Sequence, residues 1–154
     1  MNVRRCRKSD AEDIAELHSK TVKAVNSEDY SKEIIRKWSD TDSSLYKDLS
    51  EFDQVKYFVA EKDGNIFGFS CLNTEEKAIK AIYTDKDHQG EGFGTALLKK
   101  MEEFAREKGI DSLTCDSSIT AKKFYQSKGY EVVRQTESEK GCVKIAGFLM
   151  KKKI

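Results

Sequence analysis

The stretch Gln89-Gly90-Glu91-Gly92-Phe93-Gly94-Thr95 carries the strongest chemical signal in the chain, with three glycines at alternate positions just before an amphipathic run. The first amides of a helix have no internal partner, and the aligned peptide dipoles add partial positive charge there. Glycine removes the Cβ atoms that hold a ligand away from such a backbone. The combination describes a cradle for an anion, above all for the phosphates of a cofactor. A P-loop would end in Gly-Lys-Ser/Thr, and Gly94-Thr95 lacks the lysine. A dinucleotide fingerprint reads G-x-G-x-x-G, whereas this turn reads G-x-G-x-G. Asp116 does stand about 20 residues downstream, where a ribose-binding acid belongs. That motif opens its domain, however, and about eighty residues precede this turn, leaving too little chain for a six-strand doubly wound sheet.

The elements that must position this turn follow from periodicity. Asn2–Arg5 reads as a strand, and Ser9-Asp10-Ala11-Glu12 has the spacing of a capping box. Ile14, Leu17, Thr21, Val22 and Val25 continue at helical spacing, and a second helix is expected over about Ser31–Ser39. Tyr46–Leu49 reads as a further short turn. The period then changes to that of strands: Gln54–Glu61, a hairpin turn at Asp63-Gly64, Asn65–Asn73, a turn at Glu75-Glu76-Lys77, and Ala78–Thr84. Gly92–Glu107 is a helix with Leu97, Met101, Phe104 and Ala105 on its inner face, stopped by Gly109. Ser112–Asp116 is a strand, Thr120–Lys128 a helix ended by Gly129, and Tyr130–Glu137 and Val143–Met150 are the last strands. The order β, α, α, β, β, β, α, β, α, β, β predicts an α+β architecture, a mixed and mostly antiparallel sheet of about seven strands flanked by about four helices.

With no proline, repeat or Gly/Ser-rich linker, the 154 residues read as one domain, 1–154. Lysine and arginine total 28 against 27 acids, so no basic surplus recruits nucleic acid or an anionic membrane. The Lys151–Lys153 run reads as a solvated end. The N-terminus MNVRRCRKSD has no apolar stretch, and no segment reaches the length of about 20 apolar residues that spans a bilayer, so a cytoplasmic location is expected. Cys6, Cys71, Cys115 and Cys142 are scattered and read as free thiols, three of them in strand-like contexts. No metal site is expected from them or from His18 and His88.

Gln89-x-x-Gly92-x-Gly94 matches the Q/R-x-x-G-x-G/A signature by which the Gcn5-related N-acetyltransferase superfamily binds acetyl-CoA. Asp116–Tyr130 is similar to a second segment of that superfamily, N-x-x-A-x-x-F-Y-x-x-x-G-F, here read from Ser118 to Tyr130 through Ala121, Phe124, Tyr125 and Gly129. The element order agrees as well, so the resemblance covers essentially the whole chain. Within the superfamily the sequence resembles small bacterial and archaeal acetyltransferases of poorly defined substrate.

The resemblance implies an acyl-CoA N-acyltransferase fold and transfer of an acetyl group from acetyl-CoA to a primary amine, on a small molecule or a peptide, by direct attack through a tetrahedral intermediate. It implies that backbone amides from Gln89 through Gly90, Glu91, Gly92, Phe93 and Gly94, with the Thr95 hydroxyl, hold the pyrophosphate. Ile82, Tyr83 and Thr84 would pair with the pantetheine arm as with an added strand, beside a gap where two strands splay apart. Phe124 belongs to the cofactor side, and Ser118 stands where an asparagine that contacts the pantetheine is usual. Tyr125 falls on the tyrosine that protonates the departing thiolate, a role suited to a phenol that is neutral at physiological pH. Asp116 is the first sequence choice for the general base, ahead of Glu75 and Glu76. Trp38 either packs in the core or lines the acceptor pocket, and the mixed charges of Ser19–Ser50 express no acceptor preference. The cysteines have no neighbouring partner that marks an activated nucleophile. Many relatives are dimers, so a homodimer is expected. The alternatives are a non-catalytic acetyl-CoA sensor of the same fold and an enzyme that uses the glycine turn for NAD or ATP.

Overall fold

A computed structural model describes residues 1–40, 53–140 and 142–154, with the side chain of residue 140 excluded. The turn expected at Tyr46–Leu49 lies outside the described residues. The strands are β1 Asn2–Arg5, β2 Val55–Lys62, β3 Asn65–Asn73, β4 Ala78–Thr84, β5 Ser112–Ser118, β6 Glu131–Lys140 and β7 Val143–Lys153. The helices among the described residues are α1 Ala11–Ala24, α2 Lys32–Ser39, α3 Phe93–Glu107 and α4 Lys122–Ser127. The order of elements is the expected one. None of the helices among the described residues is long and apolar enough to cross a membrane.

All the strands among the described residues join one seven-stranded sheet in the order β1-β2-β3-β4-β5-β7-β6. Every neighbouring pair is antiparallel except β4–β5. These two are parallel because α3 lies between them in sequence, and a parallel pair needs a crossover of that length. Alternation along each strand sends side chains to two different layers. Phe58, Leu72, Ile79, Leu113 and Cys115 pack with Leu97, Met101 and Ala105 of α3 and with Tyr125 of α4. Val59 and Phe69, one residue out of step, meet Ile14 and Leu17 of α1 on the opposite face. Both helices on the first face end alike. After α3, Gly109 N donates to Arg106 O and Ile110 N to Ala105 O; after α4, Gly129 N donates to Gln126 O and Tyr130 N to Tyr125 O. Each is a Schellman ending, which brings the residue after the glycine back onto the last helical turn.

Three local expectations are corrected. The Ser9–Glu12 box does not form, because Asp10 precedes α1 and its carboxylate is engaged elsewhere. It accepts from the Arg7 amide at 2.7 Å and from both terminal nitrogens of Arg4 at 2.8 and 3.0 Å. Lys151 and Lys153 are exposed as expected, but the run Lys151–Lys153 is the end of β7, paired with Ser112–Thr114 of β5. Lys152 Nζ donates at 2.9 Å to Glu102, a buried carboxylate that also accepts from Tyr130 Oη at 3.1 Å. Of the cysteines only Cys71 and Cys115 lie buried in strands; Cys6 follows β1, half-buried, and Cys142 is exposed before β7.

The site is prepared by one irregularity. Leu72 faces Ile79 and Cys71 faces Ala81, so Lys80 is an extra residue, a bulge in β4. Pairing with β5 consists of Ala78↔Thr114 and Ile79↔Cys115 and stops there, one residue before the bulge. From Lys80 onward β4 turns away from β5 and one edge of its backbone faces open space.

The Arg4–Asp10 pair ties β1 to the start of α1 and makes acid stability testable. The Arg4 guanidinium and the Arg7 amide hold the Asp10 carboxyl below its ordinary value of 3.8. A depressed folded value means that the stabilisation is complete at neutral pH and lost as pH falls through the folded value. Asp10→Asn should therefore cost about 1–3 kcal/mol at pH 7. It should also give a shallower fall in urea midpoint below about pH 4 than the parent chain. Parallel acid limbs for the two proteins would rule out this role.

Candidate active site

The glycine turn is built from both ends. Asp85 opens a short 3-10 turn, its Oδ1 accepting from the Asp87 amide at 3.0 Å and lying 2.7 Å from His88 Nδ1. The His88 ring packs on Phe67 with centroids 4.0 Å apart. Gln89 then folds back, its Nε2 donating to Thr84 O at 2.8 Å and to Asp85 O at 3.1 Å. The side-chain amide of the signature glutamine thus clamps the loop to the end of β4. Thr21 Oγ1 of α1 donates to the same Thr84 carbonyl at 3.0 Å.

Gly92 has φ +92°, a left-handed conformation that a residue with a side chain adopts only under strain, and it starts α3. The first helical bond runs from Ala96 N to Gly92 O, so the amides of Phe93, Gly94 and Thr95 precede the ladder. Among the described residues no side chain caps them, and the first turn holds no acid. Most helices answer these amides with a Ser, Thr, Asp or Asn; here they stay available. Phe93 is 1 % exposed and anchors the helix start in the core. A Cβ on Gly94 would stand 3.5 Å from the Phe124 ring and from Thr84 Cγ2, so β4, α3 and α4 converge at this point.

A cleft of about 330 Å³ runs from these amides along the free edge of β4 into the gap beside β5. Apart from Glu91 and the weaker base candidates Glu75 and Glu76, every predicted site residue lines it: Trp38, Ile82, Tyr83, Thr84, Gln89, Gly90, Gly92, Phe93, Gly94, Thr95, Asp116, Ser118, Phe124 and Tyr125. Glu91, expected in the pyrophosphate loop, stands outside and exposed, between the positive-φ glycines Gly90 and Gly92. Glu75 and Glu76 are exposed in the β3–β4 turn away from the cleft, and Glu76 pairs with Lys80 at 2.7 Å.

The two faces of the gap differ in chemistry. On the α3–α4 face Tyr125 is 5 % exposed, packed edge-on to Phe124 and Tyr130 at 5.4 and 5.5 Å. The Tyr130 contact is the product of the Schellman turn at Gly129. Burial first, then the neighbouring Cys115, hold the Tyr125 phenol well above 10, so it keeps its proton. Burial likewise pushes the Cys115 thiol up to about 12. Ser118 Oγ accepts from Ala121 N at 3.0 Å, which fixes the turn into α4.

On the α1–α2 face Tyr83 stands against His18, centroids 4.7 Å apart, and its hydroxyl accepts from Trp38 Nε1 at 3.1 Å. Trp38 is half-buried in the cleft wall, while His18 is buried behind it. The turn after α1 reaches across the far half of the sheet. Tyr30 Oη donates to Ala146 O at 2.6 Å and accepts from Ile119 N at 2.8 Å, and Thr120 Oγ1 donates to Asp29 at 2.8 Å. Sequence reasoning missed Lys80, Thr21, Asp29 and Tyr30; only the glutamine clamp had a signal, the fixed place of an amide ahead of the glycines.

A larger hollow of about 710 Å³ beside α2 is lined by Lys23, Lys32, Arg36 and Lys37 among others, but neither the helix start nor a tyrosine of the gap opens into it. Among the described residues no group of His, Cys, Asp or Glu gathers as metal ligands.

A mixed sheet split beside an uncapped helix start is the architecture of an acetyl-CoA-type N-acyltransferase, and the comparisons agree. Residues 26–153 match the acetyltransferase (GNAT) domain, and the chain belongs to that family. It is 28 % identical over 153 residues to YafP of Escherichia coli K12, an uncharacterised N-acetyltransferase, covering 99 % of this chain and 96 % of that protein. A GCN5-related N-acetyltransferase from Rhodopseudomonas palustris shares the fold with a TM-score of 0.91 at 24 % identity, over 99 % of this chain and 95 % of that one. The PaiA N-acetyltransferase of Thermoplasma acidophilum, solved with coenzyme A, superposes with a TM-score of 0.79 at 21 % identity, over 99 % and 98 % of the two chains.

The clamp makes a prediction. Gln89→Ala removes both bonds to Thr84 and Asp85, so amide exchange across Asp85–Gly92 should quicken about tenfold while β2 and β3 stay protected. Unchanged exchange in the loop would show that the glutamine does not hold it.

Proposed function

We infer that this protein is an N-acetyltransferase that takes its acyl group from acetyl-CoA and gives it to a primary amine. The observation that carries the reading is the continuity of uncapped α3 amides with the unpaired edge of β4. An anion-holding helix start and a strand edge joined end to end suit a ligand with a diphosphate at one end and a peptide-like arm at the other. The first turn of α3 carries no acid to repel that diphosphate. When bound, acetyl-CoA supplies a thioester carbonyl that an amine attacks directly.

The chain's own groups then have distinct tasks. Amides of Phe93, Gly94 and Thr95, with the loop Gln89–Gly92, bind the diphosphate, and the Thr95 hydroxyl adds a donor. Backbone groups of Ile82, Tyr83 and Thr84 orient the arm, and a β4 amide aimed into the gap stabilises developing negative charge on oxygen. Ser118 reaches the arm with its hydroxyl proton, since its lone pair already serves Ala121 N.

Tyr125 Oη holds the proton for the leaving thiolate. A phenol near 10 is ordinarily a poor donor to a thiolate near 8.5. In this setting, though, Cys115 shows what burial does to a thiol, raising it to about 12. A thiolate formed beside Tyr125 meets the same desolvation, and because burial raises the phenol too, the part of Tyr125 is that of a proton already held beside the leaving sulfur. The same burial argues against an acyl-cysteine: Cys6, Cys71 and Cys115 are held protonated, at about 12, 11 and 12. Asp116, exposed on the rim, accepts the amine proton directly or through water.

Gly92→Glu places a side chain on a φ of +92° and a carboxylate at the diphosphate, and should weaken coenzyme A binding at least a hundredfold by calorimetry. Tyr125→Phe should lower kcat about a hundredfold with coenzyme A affinity unchanged, read by thiol release. Full turnover in Tyr125→Phe would remove the tyrosine as the acid, and a parent chain with no affinity for coenzyme A would overturn the whole reading.

A further inference from the structure

Asn26 lies in the turn directly after α1, 5 % exposed, and lines the cleft. Its backbone carbonyl accepts from Asp29 N, but its side-chain carboxamide makes no hydrogen bond among the described residues. A carboxamide offers two donors and two acceptor lone pairs, and those of Asn26 keep access to the cleft. Its position is fixed from both sides: upstream by Thr21 on the Thr84 carbonyl, downstream by Asp29 on Thr120 and Tyr30 on Ile119. Those anchors sit at the ends of β4 and β5, so Asn26 stands over the gap between them, on the α1–α2 face. Asp116 shares that face, being out of step with Leu113 and Cys115, which point to α3 and α4. Its carboxylate likewise has no hydrogen-bond partner among the described residues.

We propose, resting on the acetyltransferase reading above, that Asn26 orients the acceptor by hydrogen bonding to a polar group on the carbon next to the amine-bearing one. The substrate class is then an amine with a vicinal carbonyl or hydroxyl, such as an amino-acid amide, a peptide N-terminus or an amino alcohol. Asp116 draws the ammonium, and the carboxamide, which both donates and accepts, takes the neighbouring oxygen. The donor substrate does not need Asn26: its arm has the β4 edge in the plane of the sheet, and its thiol leaves toward Tyr125 on the opposite face. The nucleophile must come from the other side, where Asn26, Asp116, Tyr83 and Trp38 lie.

The test compares glycinamide, ethanolamine and propylamine, which are similar in size, with acetyl-CoA and the full chain. The parent protein should prefer both polar amines over propylamine at least tenfold in kcat/KM. Asn26→Leu and Asn26→Ser should erase that preference, through a higher KM for the polar amines, while calorimetric affinity for coenzyme A stays unchanged. A preference that survives in either variant overturns the proposal. So does a parent protein that accepts propylamine equally well, or that binds coenzyme A yet turns over none of the three. Loss of coenzyme A affinity in both variants overturns it as well, because the carboxamide would then serve the donor side. Absence of coenzyme A binding in the parent protein is a different result and removes the acetyltransferase reading itself.

Discussion

The arrangement depends on a hydrogen-bond ladder that is cut short. Between β4 and β5 it holds for Ala78↔Thr114 and Ile79↔Cys115 and is then abandoned. An unpaired strand edge in the middle of a sheet is costly, since each buried amide or carbonyl wants a partner. The bulge at Lys80 makes it tolerable by turning β4 away, so that its edge meets open space that a ligand backbone can enter. Carbonyls at the end of the strand are satisfied locally, Thr84 by both Thr21 and Gln89.

Splitting the sheet also separates two kinds of surroundings. One face of the gap is the main core, where Tyr125 and Cys115 lie in apolar packing and keep their protons. The other is half-buried and polar, with the Tyr83–Trp38 pair, Asp116 and the turn after α1. Strand alternation alone makes this division, because neighbours in β4 and β5 point to opposite layers.

Much of this was legible in the residues. The order of strands and helices follows from the change of period at Gln54, and the helix ends at Gly109 and Gly129 were marked by their glycines. The turn was visible because three glycines at alternate positions precede a helical period, and two of them, Gly90 and Gly92, take positive φ. The bulge was not: Ala78-Ile79-Lys80-Ala81-Ile82-Tyr83 alternates acceptably in either register, and only the partner strand reveals the extra residue. Lys151–Lys153 looked like a solvated tail because its pairing with β5 and the contact of Lys152 with Glu102, 50 residues away, leave no trace in local composition. Ser9 and Glu12 had the right spacing for a cap, but Asp10, held by Arg4, took the position before the helix. The bonds of Tyr30 span 89 and 116 residues and could not be read from either end.

Those long-range bonds have a mechanical meaning. With the ladder interrupted, the two halves of the sheet are joined beyond Ile79 less by strand pairing than by the helical pair lying across them. Thr21 fastens that pair to the β4 half, while Tyr30 and Asp29 fasten it to the β5–β7 half. The turn between them works like the span of a bridge. Any ligand that wedges the halves apart stretches that span, so occupancy of the gap is felt directly by the turn after α1.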